Sequence, residues 1–123
     1  MIEHESIGTS AENYLKDILR LEHQLGDVRS IDVAHWMDVS KPSVCHAMKK
    51  LVVGGYLKMD GDHSLHLTEK GRAVAEAIDE RHQFFRERLI ECGVDPIVAD
   101  EDACRLEHAL SAESFAKLKQ MAR

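Results

Sequence analysis

Cys104, Glu107 and His108 bring three kinds of metal donor within five residues, in the run Cys-Arg-Leu-Glu-His. The segment around them, Asp95 to Leu110, reads as a helix, and on a helix residues three and four apart share a face. All three donors then point the same way, leaving Leu106 and Ala109 to pack elsewhere. A soft thiolate, a hard carboxylate and a borderline imidazole suit a first-row transition metal better than calcium or magnesium. The donors must lose protons to bind, Cys104 above all, so occupancy is expected to fall in acid. The same spacing fits a second reading, an amphipathic helix with a half-buried Cys and a solvated Glu and His. The triad alone does not choose between the two.

The elements that must carry these residues are legible upstream. After a loose tail over Met1 to Gly8, Thr9 or Ser10 caps a helix that runs to about Leu25. Its apolar positions are Tyr14, Leu15, Ile18, Leu21 and Leu25, and Gly26 stops it. Ser30 is expected to cap a short second helix with Ile31, Val33, Ala34 and Met37 inside. Asp38-Val39-Ser40 links it to a third helix, with Pro42 in the first turn and Val44, Met48, Leu51 and Val52 as its stripe. Gly54-Gly55 ends that helix. Two short helices joined by about three or four residues, the second opening on polar and basic residues, make a helix-turn-helix.

Tyr56–Met59 and Ser64–Leu67 then alternate in polarity around the turn Asp60-Gly61-Asp62-His63, which predicts a hairpin, the wing. Thr68 caps a long helix from Glu69 to about Glu91, with Ala73, Ala77, Ile78, Phe84, Phe85, Leu89 and Ile90 as its apolar positions. Asp95-Pro96 opens the helix of the triad, and Ser111 caps a last one carrying Phe115, Leu118 and Met121. The fold class is mainly α with a small β-hairpin. It divides into a winged helix-turn-helix over residues 1–70 and an α-helical domain over residues 71–123, expected to serve dimerisation and metal binding because it holds the donor triad and more apolar surface than a small wing domain can bury.

Composition narrows the functional classes. The chain of 123 residues has no run of the roughly 18–20 apolar residues that cross a bilayer, and no basic-then-apolar N-terminus resembling a signal peptide. Three cysteines, Cys45, Cys92 and Cys104, are an odd count without paired spacing, which points to free thiols in a reducing cytoplasm. The net charge of −6 argues against nucleic acid only until it is divided. Between Val28 and Lys58 there are five cations (Arg29, Lys41, Lys49, Lys50, Lys58) against two anions (Asp32, Asp38), a net +3, leaving −9 elsewhere. A basic segment on an acidic chain can hold a polyanion while the remainder limits nonspecific affinity.

The chain resembles the metal-dependent transcriptional repressors of the diphtheria toxin repressor and manganese transport regulator family. The resemblance rests on Ala11-Glu12-Asn13-Tyr14-Leu15, Ser40-Lys41-Pro42-Ser43-Val44, Leu67-Thr68-Glu69-Lys70-Gly71-Arg72-Ala73, Glu80-Arg81-His82 and the run from Cys104 to Ser111. It implies one metal site built mainly from Cys104, Glu107 and His108, with His82 either in it or beside it. It also places a ligand position of the first helix at Asn13, and a second, acidic in the manganese branch, at Lys16. A lysine there opposes a second cation. In the iron branch an ancillary site has a carboxylate one turn after the histidine, where Arg86 stands, while Asp100 can offer one a turn before Cys104.

For DNA, the first turn of the recognition helix puts Lys41, Pro42, Ser43 and His46 nearest base edges. Lys49 and Lys50 are set to reach phosphates, as are Lys58 or His63 from the wing. Phe84, Phe85, Leu89, Leu106, Leu110, Phe115 and Leu118 are expected at a homodimer interface matching two operator half-sites. The reading is a cytoplasmic, non-enzymatic repressor of metal-uptake genes that binds double-stranded operator DNA. Fe2+ or Mn2+ is its signal, with Zn2+, Co2+ or Ni2+ able to substitute in vitro, and it has no membrane or small-molecule substrate as partner. The alternatives are a winged-helix regulator with lost or altered metal response and a small metallohydrolase, for which no motif places a general base.

Overall fold

The computed structural model describes residues 7–122. The elements are α1 (Thr9–Leu25), β1 (Val28–Arg29), α2 (Ser30–Met37), α3 (Lys41–Val53), β2 (Leu57–Met59), β3 (Ser64–Leu67), α4 (Glu69–Glu91), α5 (Pro96–Leu106) and α6 (Ala112–Met121). They form two compact units, one of residues 10–76 and one made chiefly of residues 77–122. Most of the expected N-terminal tail, with His4, lies outside the described residues.

In the first unit the apolar stripes fold inward as their spacing requires. Leu15, Ile18, Leu19 and Leu21 of α1, Val33 and Ala34 of α2, and Val44, Met48 and Leu51 of α3 are buried. Ile31 and Val52, expected inside, are exposed at 40% and 37%, and Leu25 at 53%. Each lies at or next to an end of its helix. Asp38 closes α2 in the left-handed conformation, φ 55°, which aspartate tolerates better than most residues. The link to α3 is therefore three residues long. Ser40 caps α3, its Oγ accepting from Ser43 N at 3.3 Å.

The wing is larger than a hairpin. β2 and β3 pair antiparallel with Leu57 opposite Leu67 and Met59 opposite Leu65, and β1 adds a third strand in the order β1-β3-β2, with Val28 opposite Leu65. That strand also moves the start of α2. Pairing keeps the backbone extended through Arg29, so Arg29 takes the cap position and its N–H donates to Asp32 Oδ2 at 2.9 Å. Ser30, expected as the cap, is the first helical residue instead.

Gly71 explains how α4 begins. A Cβ there would lie 2.0 Å from the Tyr56 carbonyl oxygen, a distance no side chain tolerates. The same carbonyl accepts from Thr68 N at 3.1 Å, and Thr68 Oγ1 donates to Gly55 O and accepts from Gly71 N. The strand-to-helix junction is thus closed by backbone contact. Along α4 the buried apolar residues are Val74, Ala75 and Ile78, whereas Ala73 faces solvent.

In the second unit an aromatic cluster forms within the chain. Phe84 meets Phe85 and Phe115 edge-on at 5.4 and 5.3 Å between ring centroids. Phe115 is 5% exposed, so its ring belongs to the core of its own chain rather than to an outward face. Ile97, Val98, Leu106, Leu118 and Met121 are the large apolar side chains left exposed there.

Candidate metal centre and nucleic-acid interface

His82 of α4 is the centre of the buried polar cluster. Its ring is 1% exposed, and each nitrogen has an acidic neighbour. Nδ1 lies 2.8 Å from Glu107 Oε1 and 3.7 Å from Cys104 Sγ, while Nε2 lies 2.8 Å from Asp100 Oδ1. Glu107 is fully buried, and its other oxygen is 3.5 Å from Nε2 of His108, whose side chain is also largely buried. Of the four residues expected to hold a metal, His82 thus meets Cys104 and Glu107 directly, and His108 adjoins Glu107.

The triad is not wholly helical. α5 ends at Leu106, Glu107 is its C-cap, and His108 lies in the turn that follows. Arg81, itself buried, supports that turn, since its Nη1 donates to the carbonyls of Glu107 and Leu110. A cation against the last carbonyls of a helix is favourable in charge as well as in hydrogen bonding. Its guanidinium also stacks over Phe115 at 5.4 Å. The sequence offered no local signal for this role, because the two carbonyls are 26 and 29 residues away.

Asp100 joins the cluster from the α5 face. Its spacing to Cys104, one helical turn, was the readable sign. One ligand atom from each of His82, Asp100 and Cys104 lies within 4.8 Å of the other two. With metal–ligand bonds of roughly 2.0–2.3 Å, neighbouring donors sit about 3–4 Å apart, and the His82–Glu107 and His82–Cys104 distances are close to that spacing. Thiol, carboxylate and imidazole gathered around the buried His82 ring fit a transition-metal ion. Arg86 approaches the same cluster, with Nε 3.5 Å from Asp100 Oδ1. Asn13 is half-buried on α1 and Lys16 is buried, at 2% exposure.

The candidate DNA contacts have the opposite character. Lys41, Pro42, Ser43, His46, Lys49 and Lys50 are all exposed along α3, whose inward face is Val44, Met48 and Leu51. His46, Lys49, Lys50 and Val53 line a shallow surface depression. Ser43 is partly engaged already, since it accepts from Ser40 Oγ at 2.8 Å. On the wing, Lys58 and His63 are exposed, and His63 has φ 67°. The turn between them also carries acids. Asp60 pairs with His66 at 2.7 Å and Asp62 with Arg29 at 3.4 Å. The Asp62 carboxyl is held below its ordinary value chiefly by the Ser64 backbone N–H, with Arg29 adding a smaller pull.

A helix-turn-helix with a three-stranded wing, on a chain that also gathers thiol, carboxylate and imidazole around one buried histidine, defines the class of metal-dependent winged-helix repressors. Residues 6–65 match the iron-dependent repressor N-terminal DNA-binding domain, and residues 68–123 match the iron-dependent repressor metal-binding and dimerisation domain. The chain belongs to the iron-dependent repressor family.

Relatives within it include the transcriptional regulator MntR of Escherichia coli O6:H1, 33% identical over 104 residues, covering 85% of this chain and 67% of the relative. The iron-dependent repressor IdeR of Mycobacterium tuberculosis H37Rv is 32% identical over 105 residues, covering 85% of this chain and 46% of its own length. The solved structure of the manganese regulator SloR superposes with a TM-score of 0.80 at 26% identity, over 91% of this chain and 53% of that one. The chain thus spans two thirds of one relative and about half of the other two. Among the described residues, no helix is long and apolar enough to cross a membrane.

Proposed function

We propose that this chain is an Fe2+- or Mn2+-responsive repressor of metal-uptake genes, acting in the cytoplasm as a homodimer on double-stranded operator DNA. The observation that carries the reading is the buried His82 ring beside Cys104 and Glu107, in a chain whose α3 presents six exposed candidate contacts. His82, Cys104, Glu107 and His108 would hold the metal. When bound, the ion supplies fixed positive charge that neutralises the thiolate and carboxylate. Lys41, Pro42, Ser43 and His46 would lie nearest the bases, and Lys49 and Lys50 nearest the phosphates. We place the division of labour at residues 1–70 for reading DNA and 71–123 for metal binding and dimerisation.

Metal raises operator affinity only by as much as the ion prefers the DNA-competent arrangement, and by linkage operator DNA tightens the metal equally. A coupling of roughly 5–150-fold is usual for such switches. Affinity order alone favours nickel, copper or zinc over iron and manganese, so metal supply in the cell must share the selection.

One observation favours a second reading, a regulator whose metal response is lost or altered. The first-helix positions where the resemblance implies ligands carry Asn13 and Lys16. A weak amide oxygen is a poor substitute for the Met or Asp the resemblance implies at the first position, and an ammonium for the acidic donor of the manganese branch at the second. The deciding measurement is operator binding by chelator-treated protein, with and without Fe2+ (under anaerobic conditions) or Mn2+. We expect the metal to tighten binding at least fivefold in the native chain and not in the Cys104→Ala, His108→Ala double variant. Equal binding by stripped and replenished native protein would establish the constitutive alternative.

A further inference from the structure

The two sides of the His82 ring are chemically unequal. On the Nδ1 side stand a thiol and a fully buried carboxylate, Cys104 and Glu107. On the Nε2 side stands Asp100, about half exposed, and the oxygen that meets the ring is also 3.5 Å from Arg86 Nε. A neutral imidazole has one proton, and the nitrogen that ligates a cation must be the bare one. A cation on the Nε2 side would stand beside a guanidinium, whereas one on the Nδ1 side would meet two anionic donors. The two carboxylates stand equally near, at 2.8 Å, so it is charge that selects the Nδ1 side for a cation.

We propose that Asp100, steadied by Arg86, is the positioning residue of His82. It accepts the proton on Nε2 and so presents a bare Nδ1 to a single divalent cation held with Cys104 and Glu107. The inference rests on the metal-binding reading above and specifies what that reading left undecided. Asp100 orients a ligand without being one, although its carboxylate lies close enough to His82 and Cys104 to serve as a donor. The guanidinium of Arg86 takes the place a second cation would need on the outer side of the ring, so the cluster binds one ion. Metal-bound histidines commonly donate their other N–H to a carboxylate, which fixes the tautomer and makes the ligating nitrogen more basic.

The test uses the full chain with Co2+ as a coloured probe and Zn2+ as a diamagnetic one. Native protein should take up one Co2+ per chain, with a thiolate charge-transfer band and a d–d envelope. In the Zn2+ form, long-range nitrogen–proton correlation on labelled histidine should place the His82 proton on Nε2. Asp100→Ala should weaken Co2+ binding about 10–100-fold with unchanged stoichiometry and unchanged d–d envelope. Asp100→Asn retains a carbonyl acceptor and should recover much of that loss, and it guards against a folding defect in the alanine variant.

An altered d–d envelope in both Asp100 variants would make Asp100 a ligand and overturn the inference. So would two Co2+ per native chain, or a His82 proton on Nδ1 in the Zn2+ form. Absence of any Co2+ uptake by native protein would instead remove the metal reading itself, and the inference with it.

Discussion

The two units carry their candidate chemistry in contrasting settings. On α3 the six side chains that would meet DNA are exposed, and their fixed framework is the apolar face beneath them. In the second unit the reactive groups are themselves framework, since His82, Glu107 and Arg81 are buried and bond to one another or to nearby backbone. An exposed cation can be removed without leaving a partner stranded. A buried carboxylate cannot, because its departure leaves a desolvated polar partner behind. The lesson is that stability and recognition are separable in one unit and joined in the other.

The sharpest way to break that comparison is Glu107→Ala. It removes the buried carboxylate 2.8 Å from His82 Nδ1 and should destabilise the metal-free protein by about 3–5 kcal/mol, the usual cost of breaking a buried pair from one side. Denaturant titration of metal-free protein measures this. A loss under about 1 kcal/mol would mean the cluster is not a structural element, against the range expected for such pairs.

Gly71→Ala comes next and tests whether the first unit has a rigid point of its own. The new methyl would collide with the Tyr56 carbonyl, so we expect a loss of about 1–3 kcal/mol, the range for an overpacked site. Thermal unfolding followed by circular dichroism would register it, and an unchanged midpoint would show that the junction shifts freely.

Smallest in stability are Lys49→Ala and Lys50→Ala, each expected to stay within about 0.5 kcal/mol of native. Their effect should appear in the salt dependence of operator binding. Each variant should lower the slope of log affinity against log salt by about one if its ammonium meets a phosphate. A native slope in both would move the phosphate contacts elsewhere on the chain.

Much of this architecture is legible in the sequence. The stripes Leu15–Ile18–Leu21 and Val44–Met48–Leu51 follow the 3.6-residue period, and Ser40, Asp95 and Ser111 cap the helices they precede. Less legible was β1, because two residues carry no period and acquire their strand geometry only by pairing with Leu65 and Ser64. Arg29 at the cap of α2 is a direct consequence of that pairing. The aromatic residues Phe84, Phe85 and Phe115 could equally have faced a partner or their own core, since spacing along a helix does not say what lies opposite.

The sequence by itself determined which donor types this protein owns and that Asp100 and Cys104 share one helical face. Helical geometry links residues three and four apart wherever the helix sits. Tertiary structure alone decided that His82 meets Glu107 and Cys104 through one nitrogen and Asp100 through the other, with Arg86 behind. Those contacts join residues 14 to 25 positions apart, from α4 to α5 and its C-cap, and only packing sets the rotation that turns each ring nitrogen toward its partner.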